Sequence, residues 1–393
     1  MSFEQARACV IEKVTSLRAM SSMVEATLDS AEGRVLAEAV VADRDYPAAD
    51  RSVRDGFAVR AADTPGRLRV VGEARAGEPF RGQMTRGEAV EIMTGATMPA
   101  GADAVVMVEH ARREGEFVVA PAAEAGKSVS PQGSEARGGE ELIPCGRRLG
   151  FVDIAALASA GRASVRVFEK PRVAILATGD EIVDVAAIPE PHQVRNSNAY
   201  SLAAQVRRAG GAAEILPIAR DEHAATQALI ERGLAADLLL ISGGVSAGKY
   251  DIVEDVLATL GAEFYFERVT IQPGQPLVFG RARGTFFFGL PGNPASTMVT
   301  FAVFARAALE LLGGQTETSL PMPLARLTAD FRHKPGLTRF LPARLSANGT
   351  EVTPVPWHGS SDLPALARAN AFLVADATRE SWRAGDLIQV LLR

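Results

Sequence analysis

Cysteine is nearly missing from this chain: only Cys9 and Cys145 occur in 393 residues. Two distant thiols without a histidine cluster exclude a disulfide framework and a thiolate zinc site, and they point to a reducing cytoplasm. Histidine is equally thin. His110, His192, His223, His333 and His358 are scattered, and no pair has metal-ligand spacing. Aromatic residues make up 6 %, and no basic cluster carries interleaved aromatics, which argues against a nucleic-acid footprint. The strand–helix turns carry no G-x-G-x-x-G fingerprint, so a dinucleotide site is not indicated. A long uninterrupted apolar run is also missing. The most apolar helical stretch, Ala295 to Leu312, is broken by Arg306 and Glu310 and reads as a core helix, not a membrane span. Glu4, Arg7 and Glu12 make the N-terminus unlike a signal peptide or anchor.

What is present is ordinary globular material, 47 % apolar and 23 % charged with a net charge of −5. A chain of this length exceeds one core, so roughly two to four domains are expected. Ser2-Phe3-Glu4-Gln5 has the form of a capping box, followed at helical spacing by Ala6, Val10, Val14 and Leu17. From Phe57 to about Val119, short alternating runs separated by Gly and Pro predict a β-rich domain over 43–139. Helical texture at Phe151 to Ala160 predicts that 140–167 rejoins 1–42 as one discontinuous N-terminal domain. From Arg172 strands alternate with helices, which predicts a three-layer α/β domain over 168–314 with a mostly parallel sheet. After Gly313-Gly314 the texture is again β-rich. Asn348-Gly349 marks a hairpin in a barrel-like C-terminal domain over 315–393. The fold class is therefore α/β multidomain, with two β-rich domains beside the α/β one.

The α/β domain is organised around Asp237 to Gly248. A buried-strand run ends in Ser242-Gly243-Gly244-Val245-Ser246, and helical texture resumes near Asp251. This pattern is either a tight turn without ligand or an anion cradle. Three more loops follow strands of the same sheet. Thr178-Gly179-Asp180-Glu181 and Arg220-Asp221-Glu222 each offer an acidic pair, suited to a hard cation or to capping a turn or helix. Gly289 to Ser296 places Asn293 at an N-cap and Pro294 at the first helical position, with free amides and Ser296 at the loop mouth. Carboxylates beside anion-binding amides make sense where a divalent cation bridges them to a phosphate.

Together these loops resemble the molybdopterin molybdenumtransferase family over essentially the whole chain. The matching segments are Ser52-Val53-Arg54-Asp55-Gly56-Phe57-Ala58, Ile92-Met93-Thr94-Gly95-Ala96, Ala177-Thr178-Gly179-Asp180-Glu181, Ser242-Gly243-Gly244-Val245-Ser246 and Leu290-Pro291-Gly292-Asn293-Pro294. The resemblance implies a molybdopterin-binding α/β domain and an enzyme that takes adenylylated molybdopterin and molybdate. With magnesium it would release AMP and molybdenum cofactor. It further implies a cytoplasmic, elongated homodimer supplied by a molybdopterin adenylyltransferase, its cleft completed by the partner subunit. By motif position, Glu181, Asp221 and Asp251 would hold magnesium and act in catalysis, and Asp55 and Thr94 would reach the cleft from the β-rich domain. Thr178, Gly179, Ser242, Gly243, Gly244, Ser246, Pro291, Gly292 and Asn293 would bind the pterin nucleotide. Pro294 and Ser296 would line the molybdate pocket, with Arg339, Arg344, Ser360 and Ser361 facing it from the C-terminal domain.

Two departures remove positive charge. Where many relatives read K-P-G-K-P, this chain has Gln272-Pro273-Gly274-Gln275-Pro276, and the basic R-R-x-G loop is here Ser130-Pro131-Gln132-Gly133. With only five lysines against 37 arginines, a drift from Lys to Arg would be unremarkable, but Gln supplies no charge at all. A second reading is therefore a non-catalytic carrier or scaffold that holds molybdopterin or the finished cofactor.

Overall fold

The structure, a computed structural model, describes residues 1–19, 21–244 and 252–393. The N-terminal helix α1 (Phe3–Leu17) starts with the expected box. Ser2 Oγ accepts the Gln5 amide at 3.2 Å, while the Ser2 amide donates to Gln5 Oε1 at 3.0 Å. Texture alone groups this helix with 140–167, yet its apolar face (Phe3, Ala6, Val10, Val14) lies in the core of the α/β domain. Phe3 meets Phe304 and Phe340 edge-on at ring separations of 6.0 and 5.8 Å. Arg7 fixes the docking by donating to the carbonyls of Val303 at 2.7 Å and Thr318 at 3.3 Å. Val303 belongs to a π-helical turn, Phe301–Ala305, where the regular helical bonding is shifted, and Arg7 takes up its carbonyl.

The α/β domain runs β1 (Arg172–Ala177), α2 (Ser197–Arg208), β2 (Ala212–Ile215), α3 (His223–Gly233), β3 (Leu238–Ser242), α4 (Ile252–Thr259), β4 (Glu263–Arg268), β5 (Pro276–Ala282), β6 (Thr285–Leu290), α5 (Pro294–Thr300) and α6 (Arg306–Leu312). Its sheet order is β2-β1-β3-β6-β5-β4, parallel across the first four strands and antiparallel at β6-β5 and β5-β4. Both faces are covered, which is why the strands read as continuous apolar runs. Leu238 and Leu240 point to the layer of α2, α5 and α6, whereas Leu239 and Ile241 point to that of α3 and α4. Each such buried side chain stabilises the fold by about 1.5–3 kcal/mol. The run Pro294–Leu312, long and apolar enough to cross a membrane, is 72 % buried within this core.

The chain leaves and re-enters its N-terminal region through paired strands. Met23–Thr27 is antiparallel to Ser164–Phe168, and Val40–Val41 to Glu141–Ile143. Between them a six-stranded sheet forms the β-rich part, with Gly56–Val59 second from its edge and buried on both sides. The C-terminal sheet contains the hairpin predicted at Asn348-Gly349, with Arg344 opposite Thr353. It also accepts Ile271–Gln272 from the α/β domain as a parallel edge strand, placing Gln272 opposite Arg339.

Candidate functional site

Successive strands leave β1 in opposite directions, to β2 on one side and β3 on the other, so a crevice opens at their C-terminal ends. Ala177 and Ser242 are register partners at this end, as are Ser242 and Leu290. A cleft of about 640 Å³ lies here, lined by Thr178, Glu181, Ser242, Gly243, Gly292, Asn293, Pro294 and Ser361 among others. The paired glycines are required by conformation and by space. Gly243 and Gly244 have φ of 95° and 63°, and a Cβ on Gly244 would sit 2.7 Å from Thr178 Oγ1 and 2.8 Å from Val253 Cγ2. Thr178 is buried at the cleft wall and its hydroxyl has no partner among the described residues. Ser246 and Asp251 lie outside the described residues.

The acidic loops divide their labour. Asp180 is the structural member: its Oδ1 accepts the Asp221 amide at 3.2 Å, while Arg220 Nη1 donates to the carbonyls of Asp180 and Ile182 at 3.0 and 3.1 Å. A bridge between Thr178 and Ala219 completes the seam. The helix beginning at His223 has Glu222 at its N-cap with no side-chain cap bond, so the second acidic pair does not cap it. Thr226 Oγ1 closes the turn instead, donating to the Arg220 carbonyl at 2.9 Å. Glu181 and Asp221 are exposed, and among the described residues neither carboxylate has a hydrogen-bond or ion-pair partner. No group of three or more His, Cys, Asp or Glu that could hold a metal occurs among the described residues. Two carboxylates beside a phosphate-sized loop nevertheless fit magnesium, which takes one or two carboxylates plus phosphate oxygens and water instead of an all-protein cage.

The fourth loop departs from expectation in one respect. Asn293 occupies the N-cap of α5 but makes no side-chain cap bond. Its Nδ2 donates to Ser360 Oγ at 2.9 Å, and the Ala295 amide donates to the Ser360 carbonyl at 2.9 Å. The amide expected to be free at this helix start is thus spent on the C-terminal domain, which brings Ser361 to the cleft. Asp362 holds that segment by accepting the amides of Ala365 and His358, which keep its carboxyl below the usual range. Ser296 is buried behind the loop, 4 % exposed. Gly274, between Gln272 and Gln275, lies close against α5, where an added Cβ would reach Thr300 and come within 3.7 Å of the Ser296 carbonyl. Arg339 is half-buried beside Gln272, and its Nε has no partner among the described residues. Arg344 is exposed, five residues along the same strand or roughly 16 Å away.

Asp55 and Thr94 meet each other, but line no part of the cleft of their own chain. The Thr94 amide and hydroxyl donate to Asp55 Oδ1 at 2.7 and 2.8 Å, holding that carboxyl below its ordinary range. Sequence reasoning missed the segment from Pro189 to Asn198, much of which lines the cleft. Its one legible signal was Asn196-Ser197-Asn198, of which Asn196 caps α2 by accepting the Ala199 amide at 3.2 Å.

Fold and site define a multidomain protein whose α/β core presents a crevice at the strand ends, walled by paired glycines and hydroxyls and lined by the Glu181 carboxylate. Family models describe the same division: "MoeA N-terminal region (domain I and II)" over residues 1–161, "Probable molybdopterin binding domain" over 174–311 and "MoeA C-terminal region (domain IV)" over 324–392. The molybdopterin molybdenumtransferase of Nostoc sp. is 37 % identical over 319 residues, covering 78 % of this chain and 73 % of that protein. That of Bacillus subtilis is 36 % identical over 381 residues, covering 93 % and 88 %. The crystal structure of the molybdopterin biosynthesis moeA protein from Pyrococcus horikoshii OT3 is 27 % identical with a TM-score of 0.83, each chain covered completely. The chain belongs to the molybdopterin molybdenumtransferase family.

Proposed function

We propose that the chain inserts molybdenum from molybdate into adenylylated molybdopterin, releasing AMP and molybdenum cofactor. The observation that carries this reading is the unpartnered carboxylate of Glu181 lining a cleft walled by Thr178, Ser242 and Gly243, with a second unpartnered carboxylate, Asp221, on the adjoining loop tied to Asp180. A simple anion trap would gain nothing from carboxylates there, which repel the anion unless a cation lies between them. Glu181 and Asp221, with Asp251 by motif position, would hold magnesium. Held there, the ion would supply positive charge toward the phosphates. Thr178 and Ser242 supply hydroxyls, and Gly179, Gly243 and Gly244 leave room for the phosphate to approach the backbone. Pro291, Gly292 and Asn293 shape the pterin side, while Pro294 and Ser296 form the wall facing molybdate. Arg339, Gln272 and Gln275 would meet the oxyanion from the neighbouring strands, with Ser360 and Ser361 contributed by the C-terminal domain, while Arg344, roughly 16 Å along the strand from Arg339, stands apart from it. Asp55 and Thr94, remote from their own cleft, fit a homodimer in which each subunit completes the other. A cytoplasmic setting and delivery by a molybdopterin adenylyltransferase complete the reading.

The carrier reading draws on Gln272, Gln275, Ser130 and Pro131, which leave four positions without charge. The two separate on one assay. Purified protein given adenylylated molybdopterin, magnesium and molybdate releases AMP if it is an insertase, whereas a carrier binds the pterin and releases none.

A further inference from the structure

One carboxamide joins the C-terminal ends of two strands at the cleft. Asn198, in the first turn of α2, donates from Nδ2 to Ser242 Oγ at 2.9 Å, at the end of β3. The same nitrogen donates to the Gly292 carbonyl at 2.7 Å, just past the end of β6. Both amide hydrogens are thereby spent. The orientation follows from chemistry, because turning the amide over would set its own carbonyl against that of Gly292. Ser242 is 4 % exposed and lines the cleft. Its oxygen already accepts from Asn198 and has no other bond among the described residues, so its hydroxyl hydrogen is left to donate. Asn198 Oδ1, meanwhile, is buried with no partner among the described residues. An unmet acceptor destabilises the fold, which indicates that the donor side of this amide serves the cleft and not the core.

We infer that Asn198 is a positioning residue: it sets Ser242 as a hydrogen-bond donor toward the phosphate of the bound nucleotide, and it occupies the Gly292 carbonyl that would otherwise repel that anion. The inference rests on the reading of the cleft as the phosphate site of an adenylylated substrate. Removing either residue removes the Ser242 interaction, and removing Asn198 also frees the Gly292 carbonyl.

The test is calorimetric titration of the full-length protein with AMP and, separately, with adenosine. Asn198→Ala and Ser242→Ala are each expected to weaken AMP binding about tenfold, the loss of one charge-assisted hydrogen bond. Adenosine binding should stay within about twofold, because it presents no phosphate. The double variant should be no weaker than Asn198→Ala, whereas independent structural damage would multiply. Asn198→Asp, which keeps the shape but cannot donate when ionised, should bind AMP more weakly than Asn198→Ala. It also decides the matter if the alanine variant does not fold. Wild-type-like AMP binding in Asn198→Asp, or single losses that multiply in the double variant, overturn the inference alone. A wild-type chain that binds no AMP overturns the reading of the cleft and the inference with it.

Discussion

The backbone amide of Asp221 donates to the side chain of Asp180 at 3.2 Å, which ties the loops following β1 and β2 into one unit. Asp180 thereby does the capping work and leaves Glu181 and Asp221 free. Asp180→Ala should loosen Asp221 and slow AMP release about five- to tenfold, the loss of one hydrogen bond worth about 1–1.5 kcal/mol. Asp180→Asn retains an acceptor oxygen and should release AMP at close to the wild-type rate. Equal damage from both variants would mean that charge, not capping, is what Asp180 contributes.

Glu181→Gln and Asp221→Asn should each lower AMP release by about 100-fold or more while pterin binding persists, because a neutral amide is a poor magnesium ligand. Asp251→Asn should behave the same way if its motif position carries the same role. The check is turnover against magnesium concentration. Half-saturation should move upward in each variant, and unchanged magnesium dependence removes that residue from the site.

Asp55 is held below the usual carboxylate range by the Thr94 amide and then by its hydroxyl. Its folded value is depressed, so the stability it contributes is present above the unfolded value of about 3.9 and is lost as pH falls through the lower folded value. Thr94→Val removes the hydroxyl bond and should move the Asp55 titration upward, read by side-chain NMR. Activity at neutral pH should change through geometry alone, since Asp55 remains ionised there. An unmoved titration would mean that the amide alone sets it.

Gln275→Lys restores a charge on the loop packed against α5. It should lower the molybdate concentration for half-maximal turnover by about three- to tenfold. No change would mean that Arg339 and neutral donors already satisfy the oxyanion.

The fold was legible where one physical signal sufficed. The run from Leu238 to Ser242 is apolar at every step because helices cover both sheet faces, and Asn348-Gly349 supplies the positive φ that a tight hairpin requires. Partner choice was not legible. An apolar stripe on α1 shows that a face is buried, but only Arg7 on the Val303 carbonyl shows against what. Ile271–Gln272 reads as a connector because its strand partner lies about 67 residues away in another domain. The site was legible as loops, since glycine pairs and carboxylates after strands have few structural explanations. Which side chains cap and which stay free was not. Asn293 turns to Ser360 instead of its own helix, and Asn198 reaches Ser242 across 44 residues of sequence. Both depend on tertiary neighbours.

In the proposed function, nucleotide and molybdate meet in the crevice between β1 and β3. A crystal soaked with AMP, magnesium and molybdate tests it most directly. The AMP phosphate is expected against Thr178, Ser242 and Gly243, with an oxyanion beside Gln272, Gln275 and Ser296. Nucleotide density on another face of the molecule, with this crevice empty, would contradict it.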